Sequence, residues 1–252
     1  MYPIDMHTMS RAFYSVWRAA GEHLSAQVDG GIRVWLRAHP YPPFLEHLSF
    51  RLGNQLFFIR VEDEDGQVMG PGNPGGVLTA ARQANGHACV LPMQKAPFSD
   101  TWRPAIAGWG LLDAHTGQPI DPVALVTDEP IEMTRWELHD LAVQVVRDQL
   151  QQQGFKLMSW QGNPEVDPAI WFIGETTRPE WVVVRTARYP EQPPGRPANW
   201  DAIAAHCAQT STTGHFARVG IASADQPFKA DGEPAVPLWR GHGMNVRYEG
   251  LE

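Results

Sequence analysis

A chain of 252 residues with 43% hydrophobic content can bury one large core or two ordinary ones, near the size at which chains begin to divide into domains. Twenty Lys and Arg against 28 Asp and Glu give a formal charge of -8, with nine basic and eleven acidic residues up to residue 122 and eleven and seventeen beyond it. This balance argues against a nucleic-acid sheath, which neutralises phosphates with Lys and Arg, and favours a basic protein partner, most of all for the second half.

Met1 to Ser10 carries no basic segment followed by an apolar run, and no apolar run approaches membrane-spanning length, so the expected setting is the cytoplasm with no secretory signal. Cys89 and Cys207 fit two unpaired thiols in a reducing compartment rather than a disulfide scaffold.

In chain order, Met9-Ser10-Arg11 opens a helix whose apolar stripe is Phe13, Val16, Trp17, Ala20 and Leu24, ended by Gly30-Gly31. Strands are predicted over 32–37, 47–52 and 55–62, then a short helix over 77–85. The acidic run Glu62, Asp63, Glu64 and Asp65 before Gly66 reads as a solvated hairpin tip and as a candidate surface for a basic partner. Gly70 to Gly76, with Asn73-Pro74, lacks the Gly-Lys-Ser/Thr ending of a phosphate loop and reads as a turn.

A proline-bearing stretch with Pro119, Pro122 and Pro130 follows, expected as a connector over 115–132. Thr134, three residues before Glu137, then forms a capping box for a helix to Gln153. Its apolar positions are Leu138, Leu141, Ala142, Val145, Val146 and Leu150, and Gly154 stops it. Strands are predicted over 155–160, 169–173 and 181–187, and a short helix over 200–209. The loop Tyr189 to Asn199, with Pro190, Pro193, Pro194 and Pro197, is stiffened and is a further candidate contact surface.

The second run of elements repeats the first. Phe57-Phe58-Ile59-Arg60 stands where Val182-Val183-Val184-Arg185 does. Gly86-His87 matches Gly214-His215, Pro97-Phe98 matches Pro227-Phe228, and Trp102-Arg103 matches Trp239-Arg240, all in one order. The expected fold class is α+β: two tandem repeats of helix, three-stranded antiparallel meander, helix and two further strands, over 1–114 and 133–252. Aligning Ser10 with Thr134 leaves the two helix stripes out of phase by one residue.

This order of elements resembles the core of the PD-(D/E)XK nuclease-like fold. That family carries an Asp at the start of the second core strand, and an acid and a Lys two apart on the third. Asp167, before Pro168, matches the Asp; Val183 and Arg185 stand in the later two places. In the first copy Glu46 matches the Asp, with Phe58 and Arg60 in the later places. One carboxylate cannot hold a hard divalent cation tightly, so the resemblance implies a catalytically silent descendant without cofactor or metal. A migrated site would have to pair Asp167 with Glu180 or Glu137.

Other chemistry is thinly represented. His206-Cys207 with His215 and His242 could converge on Zn2+, but adjacent ligands on a helix point about a hundred degrees apart. There is no Gly-x-Ser-x-Gly elbow and no Cys-x-x-Cys pair. Ten Trp residues supply core and candidate interface anchors.

The chain thus looks like a bacterial immunity protein that neutralises a secreted toxin, such as a nuclease effector of a type VI secretion system. That resemblance implies a basic protein toxin as partner, no membrane and no nucleic acid. Its expected contacts are Glu62, Asp63, Glu64, Asp65, Asp167, Glu175 and Glu180. An active metal-dependent nuclease and a secretion-chaperone-like module are the alternatives.

Overall fold

The structure is a computed structural model and describes residues 10–36, 48–70, 74–97, 99–175, 177–192, 194–226, 228 and 234–252. It is an α+β protein with five helices and two sheets among the described residues, and these divide into two compact units, 10–130 and 131–252. Met9, Glu46, Phe98, Thr176, Pro193 and Pro227 lie outside the described residues, as does Arg37 at the end of the first predicted strand.

In the first unit, α1 (Arg11–Ala26) starts at Ser10, whose Oγ accepts from the Phe13 N–H at 3.1 Å and so satisfies one of the otherwise orphaned donors of the first turn. It buries Phe13, Val16, Trp17, Ala20 and Leu24, the predicted stripe. Strands β1 (Val34–Trp35), β2 (Leu48–Leu52) and β3 (Gln55–Asp63) form an antiparallel meander, with Gly53 in the left-handed region at φ 56° making the tight β2–β3 turn. Helix α2 (Pro74–Gln83) then crosses to β4 (His87–Lys95), which runs parallel to β3.

Strand alternation explains both layers. Phe57, Ile59 and Val61 with Cys89, Leu91 and Met93 form one buried face against α1, each large side chain contributing about 2 kcal/mol of burial. α2 packs on β3 and β4 from outside that cluster. Because β3 leads into a crossover, the acidic run 62–65 is not a hairpin tip: two-residue hairpins join antiparallel strands only, and β3 pairs β4 in parallel. Of the turn predicted over 70–76, residues 71–73 lie outside the described residues, and Pro74 already opens α2, where its missing N–H costs nothing.

Strands β5 (Trp102–Pro104) and β6 (Leu111–Asp113) both pair with β4, and β7 (Pro119–Ile120) pairs with β6. The stretch expected as a connector therefore carries β7 and the short helix α3 (Pro122–Leu125). Asn54 anchors its end: the side-chain amide donates to Thr127 Oγ1 at 2.9 Å and to the Glu129 carbonyl at 2.8 Å, and accepts from the Thr127 N–H.

In the second unit, α4 (Arg135–Gln152) begins with the predicted capping box, Thr134 and Glu137 each accepting the other's backbone N–H. Its buried face is rotated from the expected one. Trp136, His139, Ala142, Val143, Val146 and Leu150 are buried, while Leu138, Leu141 and Val145 are half-buried at its flank. The reason is that His139 and Asp140 lie inside, so the stripe contains polar residues that a hydrophobic period does not count. Asp140 accepts from Gln144 Nε2 at 2.7 Å and lies hard against Gly162, where a Cβ would meet its Oδ1 at 1.9 Å.

Strands β8 (Lys156–Trp160), β9 (Ile170–Ile173) and β10 (Pro179–Arg188) form an antiparallel meander; α5 (Trp200–Cys207) then leads to β11 (Gly214–Ser223), parallel to β10, and β12 (Met244–Tyr248) closes the edge antiparallel to β11. The sheet order is β12-β11-β10-β9-β8. α4 packs on β8, β10 and β11. On the opposite face Trp171, Trp181, Val183 and Phe216 pack with Ile203 and Cys207 of α5.

Candidate functional site

The carboxylates of the second unit that a migrated metal centre would need are each held by a separate base. Asp167, just before β9, receives Nη1 and Nη2 of Arg185 at 2.8 and 2.6 Å, with both side chains largely buried. Glu180 Oε2 lies 2.6 Å from His215 Nε2, against the Gly174 backbone, where a Cβ would collide with its carboxylate. Glu137 accepts from Nε and Nη2 of Arg240 at 2.8 and 2.9 Å while still accepting the Thr134 N–H; the Arg240 side chain is 1% exposed.

The sheet keeps these pairs apart. Glu180 and Arg185 lie on one strand, separated by about 17 Å at ~3.3 Å per residue, and the odd spacing sends their side chains to opposite faces. Arg185 shares a face with Trp181 and Val183; Glu180 shares one with Val182 and with His215, which stands opposite Val182 across the parallel ladder. Asp167 and Glu180 therefore do not converge, and among the described residues no three His, Cys, Asp or Glu side chains come together as a metal-binding group. The His206, Cys207, His215 and His242 set is included in that statement. Cys207 is buried in the α5 core and His215 is occupied by Glu180, so neither is placed for the other.

The acidic run of the first unit divides. Asp63 is buried, and its two oxygens accept the N–H groups of Asp65, Gln67 and Val68 at 2.9 to 3.1 Å, so it holds the turn and offers nothing to a partner. Glu62 accepts from Arg60 Nε at 2.7 Å. Glu64 and Asp65 are exposed, as is Glu175 in the β9–β10 turn. Of the seven expected contact residues, then, Asp63, Asp167 and Glu180 are internal structural groups; the others reach the surface.

A concave region that motif reading did not find lies on the α5 side of the second sheet, beyond the end of α5. Ala187, Gly220 and Arg247 occupy adjacent positions on β10, β11 and β12, and Gly220 leaves the middle of this row without a side chain. Tyr189 and Phe228 meet edge to face at 5.5 Å to form one wall, and the pocket measures about 380 Å³. Arg247 lies over the Phe228 ring at 4.4 Å and donates to the Phe228 carbonyl at 3.2 Å; Arg218 donates to Glu252 at 2.7 Å. Glu191 and Glu249 line the same pocket and are exposed. The only sequence signal for this place was the proline-stiffened loop beginning at Tyr189.

Residues 136–252 match the family model of a domain of unknown function, DUF8840, which spans α4 to the last residue of the second unit. No curated protein matches the chain, and no solved structure does.

Proposed function

We propose that this chain is a non-catalytic binding protein made of two copies of one α+β unit, and that its partner is a basic protein, within that class a secreted bacterial toxin that it neutralises as an immunity protein. The observation that carries the first part is the separate pairing of Asp167, Glu180 and Glu137 with Arg185, His215 and Arg240. A phosphodiesterase centre needs carboxylates converging on a cation, and here each is bound to a base inside the fold. The acidic excess of the second half supports a basic partner.

Duplication is supported by details that recur together. His87 Nε2 bonds Gln55 Oε1 at 3.1 Å, and His215 Nε2 bonds Glu180. Each His lies at the start of the strand that runs parallel to its partner's strand, His87 as the first residue of β4 opposite Phe57 and His215 as the second of β11 opposite Val182. The glycine before each is closely approached, Gly86 by Leu56 and Phe58, Gly214 by Trp181. The buried helix positions Phe13, Val16, Trp17, Ala20 and Leu24 correspond to His139, Ala142, Val143, Val146 and Leu150 with one spacing throughout, α4 having two extra residues at its start. The shared order of helix, meander, helix and parallel strand is what supports descent from a PD-(D/E)XK nuclease-like fold, with Val183 and Arg185 where acid and lysine would stand.

Co-expression of the tagged chain with the products of the genes flanking its own tests the reading. A basic product retained on the tagged chain, whose toxicity is suppressed by it, is the expected result; failure to retain or protect against any flanking product removes the immunity reading. Metal-dependent cleavage of DNA or RNA that disappears in Asp167→Ala would restore the nuclease alternative.

A further inference from the structure

We infer that the pocket between Tyr189, Phe228 and β11–β12 receives a guanidinium side chain of a protein partner, with Glu191 and Glu249 as its ion-pair acceptors. The inference rests on the basic-partner reading and names the surface that reading lacks.

The groups around the pocket separate into those already satisfied and those that are not. Arg218 is paired with Glu252, and Arg247 is held over Phe228 and by its carbonyl. Both cations thus have partners within the fold. Glu191 and Glu249 have no hydrogen bond or ion pair from any described side chain, so two carboxylates at this mouth are open to a cationic group. Three carboxylates face two guanidiniums, and an incoming cation leaves the pocket electrically balanced.

Shape selects the ligand further. The floor at Gly220 has no side chain: a Cβ there would stand 3.4 Å from Phe228 Cε1 and 3.8 Å from Arg247 Cβ. The Tyr189 and Phe228 rings offer apolar surface to the methylene stem of a long cationic side chain. A planar guanidinium with several N–H donors can reach two carboxylates at once, where an ammonium acts as a single point charge. Arg218, Gly220 and Arg247 stand on β11 and β12, while Tyr189, Glu191, Phe228 and Glu249 lie outside the strands.

The test uses the full chain, labelled with 15N, titrated with the blocked tripeptide acetyl-Gly-Arg-Gly-amide. The blocked norleucine and glutamate tripeptides and inorganic phosphate serve as comparison ligands. Saturable amide shifts at Gly220, Arg247 and Glu249 with the arginine peptide, weakened by salt and lost both in Glu191→Gln/Glu249→Gln and in Gly220→Val, are expected. Three results overturn the proposal: no saturable shift at these amides, equal shifts from the norleucine peptide, or stronger shifts from phosphate or the glutamate peptide, which would make this an anion site of Arg218 and Arg247. Folding of the variants is checked by the unchanged amide spectrum of the first unit and of α4. The two readings also fail separately. A captured partner that binds the Glu191→Gln/Glu249→Gln chain undiminished sinks the pocket and leaves the basic-partner reading standing. Arginine binding here with no basic flanking product retained does the reverse.

Discussion

Arg185 grips both carboxylate oxygens of Asp167 at 2.8 and 2.6 Å, tying the approach to β9 to the middle of β10. A bidentate arginine pair of this kind is a structural clamp. Asp167→Ala should lower stability by about 2 kcal/mol, because it leaves a largely buried guanidinium unpaired. A fall in the urea midpoint with an unchanged slope would show it. Asp167→Ala combined with Arg185→Met should recover part of the loss, the sign of coupling between the two. An unaltered midpoint in Asp167→Ala would mean the clamp contributes nothing.

Gly214 makes a sterically sharper prediction. A Cβ added there would stand 2.1 Å from Trp181 Cζ2, and Trp181 is fully buried, so the indole has nowhere to move. Gly214→Ala should cost about 3 kcal/mol by overpacking, whereas Gly154→Ala meets no atom and loses only the ease of a left-handed φ of 87°. Thermal melts of the two variants should rank in that order. Gly86→Ala, crowded at 2.9 Å by the Leu56 carbonyl and Phe58, should resemble Gly214→Ala if the two units are siblings.

Glu137 carries two duties, accepting the Thr134 N–H and both Arg240 contacts. Glu137→Ala removes half of the capping box and the carboxylate bonded to a guanidinium that is 1% exposed, for an expected loss of about 4 kcal/mol. Thr134→Ala touches only the cap and should cost about 1 kcal/mol. Equal midpoints for the two variants would show that the pair with Arg240 adds nothing.

The two thiols should be inert in the native protein. Burial, with a smaller contribution from the Asp113 carboxylate, raises the Cys89 thiol from 9.0 to about 12, and burial, with Asp167 second, raises Cys207 to about 11. Iodoacetamide at pH 8 should label neither residue until urea unfolds the chain. For stability the sign follows from the raised folded values: the unfolded chain gives up these protons first. The contribution is intact below about pH 8.5 and is lost as pH rises toward 11 and 12. Tyr248, raised by burial to about 12, acts in the same direction, so alkaline unfolding should begin above about pH 9. Rapid labelling of native Cys207 would contradict the packing of α5.

Much of the local structure was legible because its causes are local. Ser10 and Thr134 cap the helices that follow them, and β-branched runs such as Val182-Val183-Val184 form strands. The rotation of the α4 face was not legible: His139 and Asp140 are buried, and only packing against the sheet reveals that. The role of Asp63 was hidden for a related reason, since its oxygens turn inward to backbone N–H groups that a one-letter run cannot display. Trp239-Arg240 stood out as half of a repeated pair. Its bond to Glu137 spans 103 residues and has no local signature.

The sequence by itself determined the α+β class, the caps, most strand positions and the acidic surplus, since these follow from side-chain chemistry and short-range periodicity. Only the tertiary structure decided which carboxylates are paired and which remain open. Ion pairing depends on what the strand ladder brings opposite, so Asp167, Glu180 and Glu137 meet bases far along the chain while Glu191 and Glu249 meet none among the described residues.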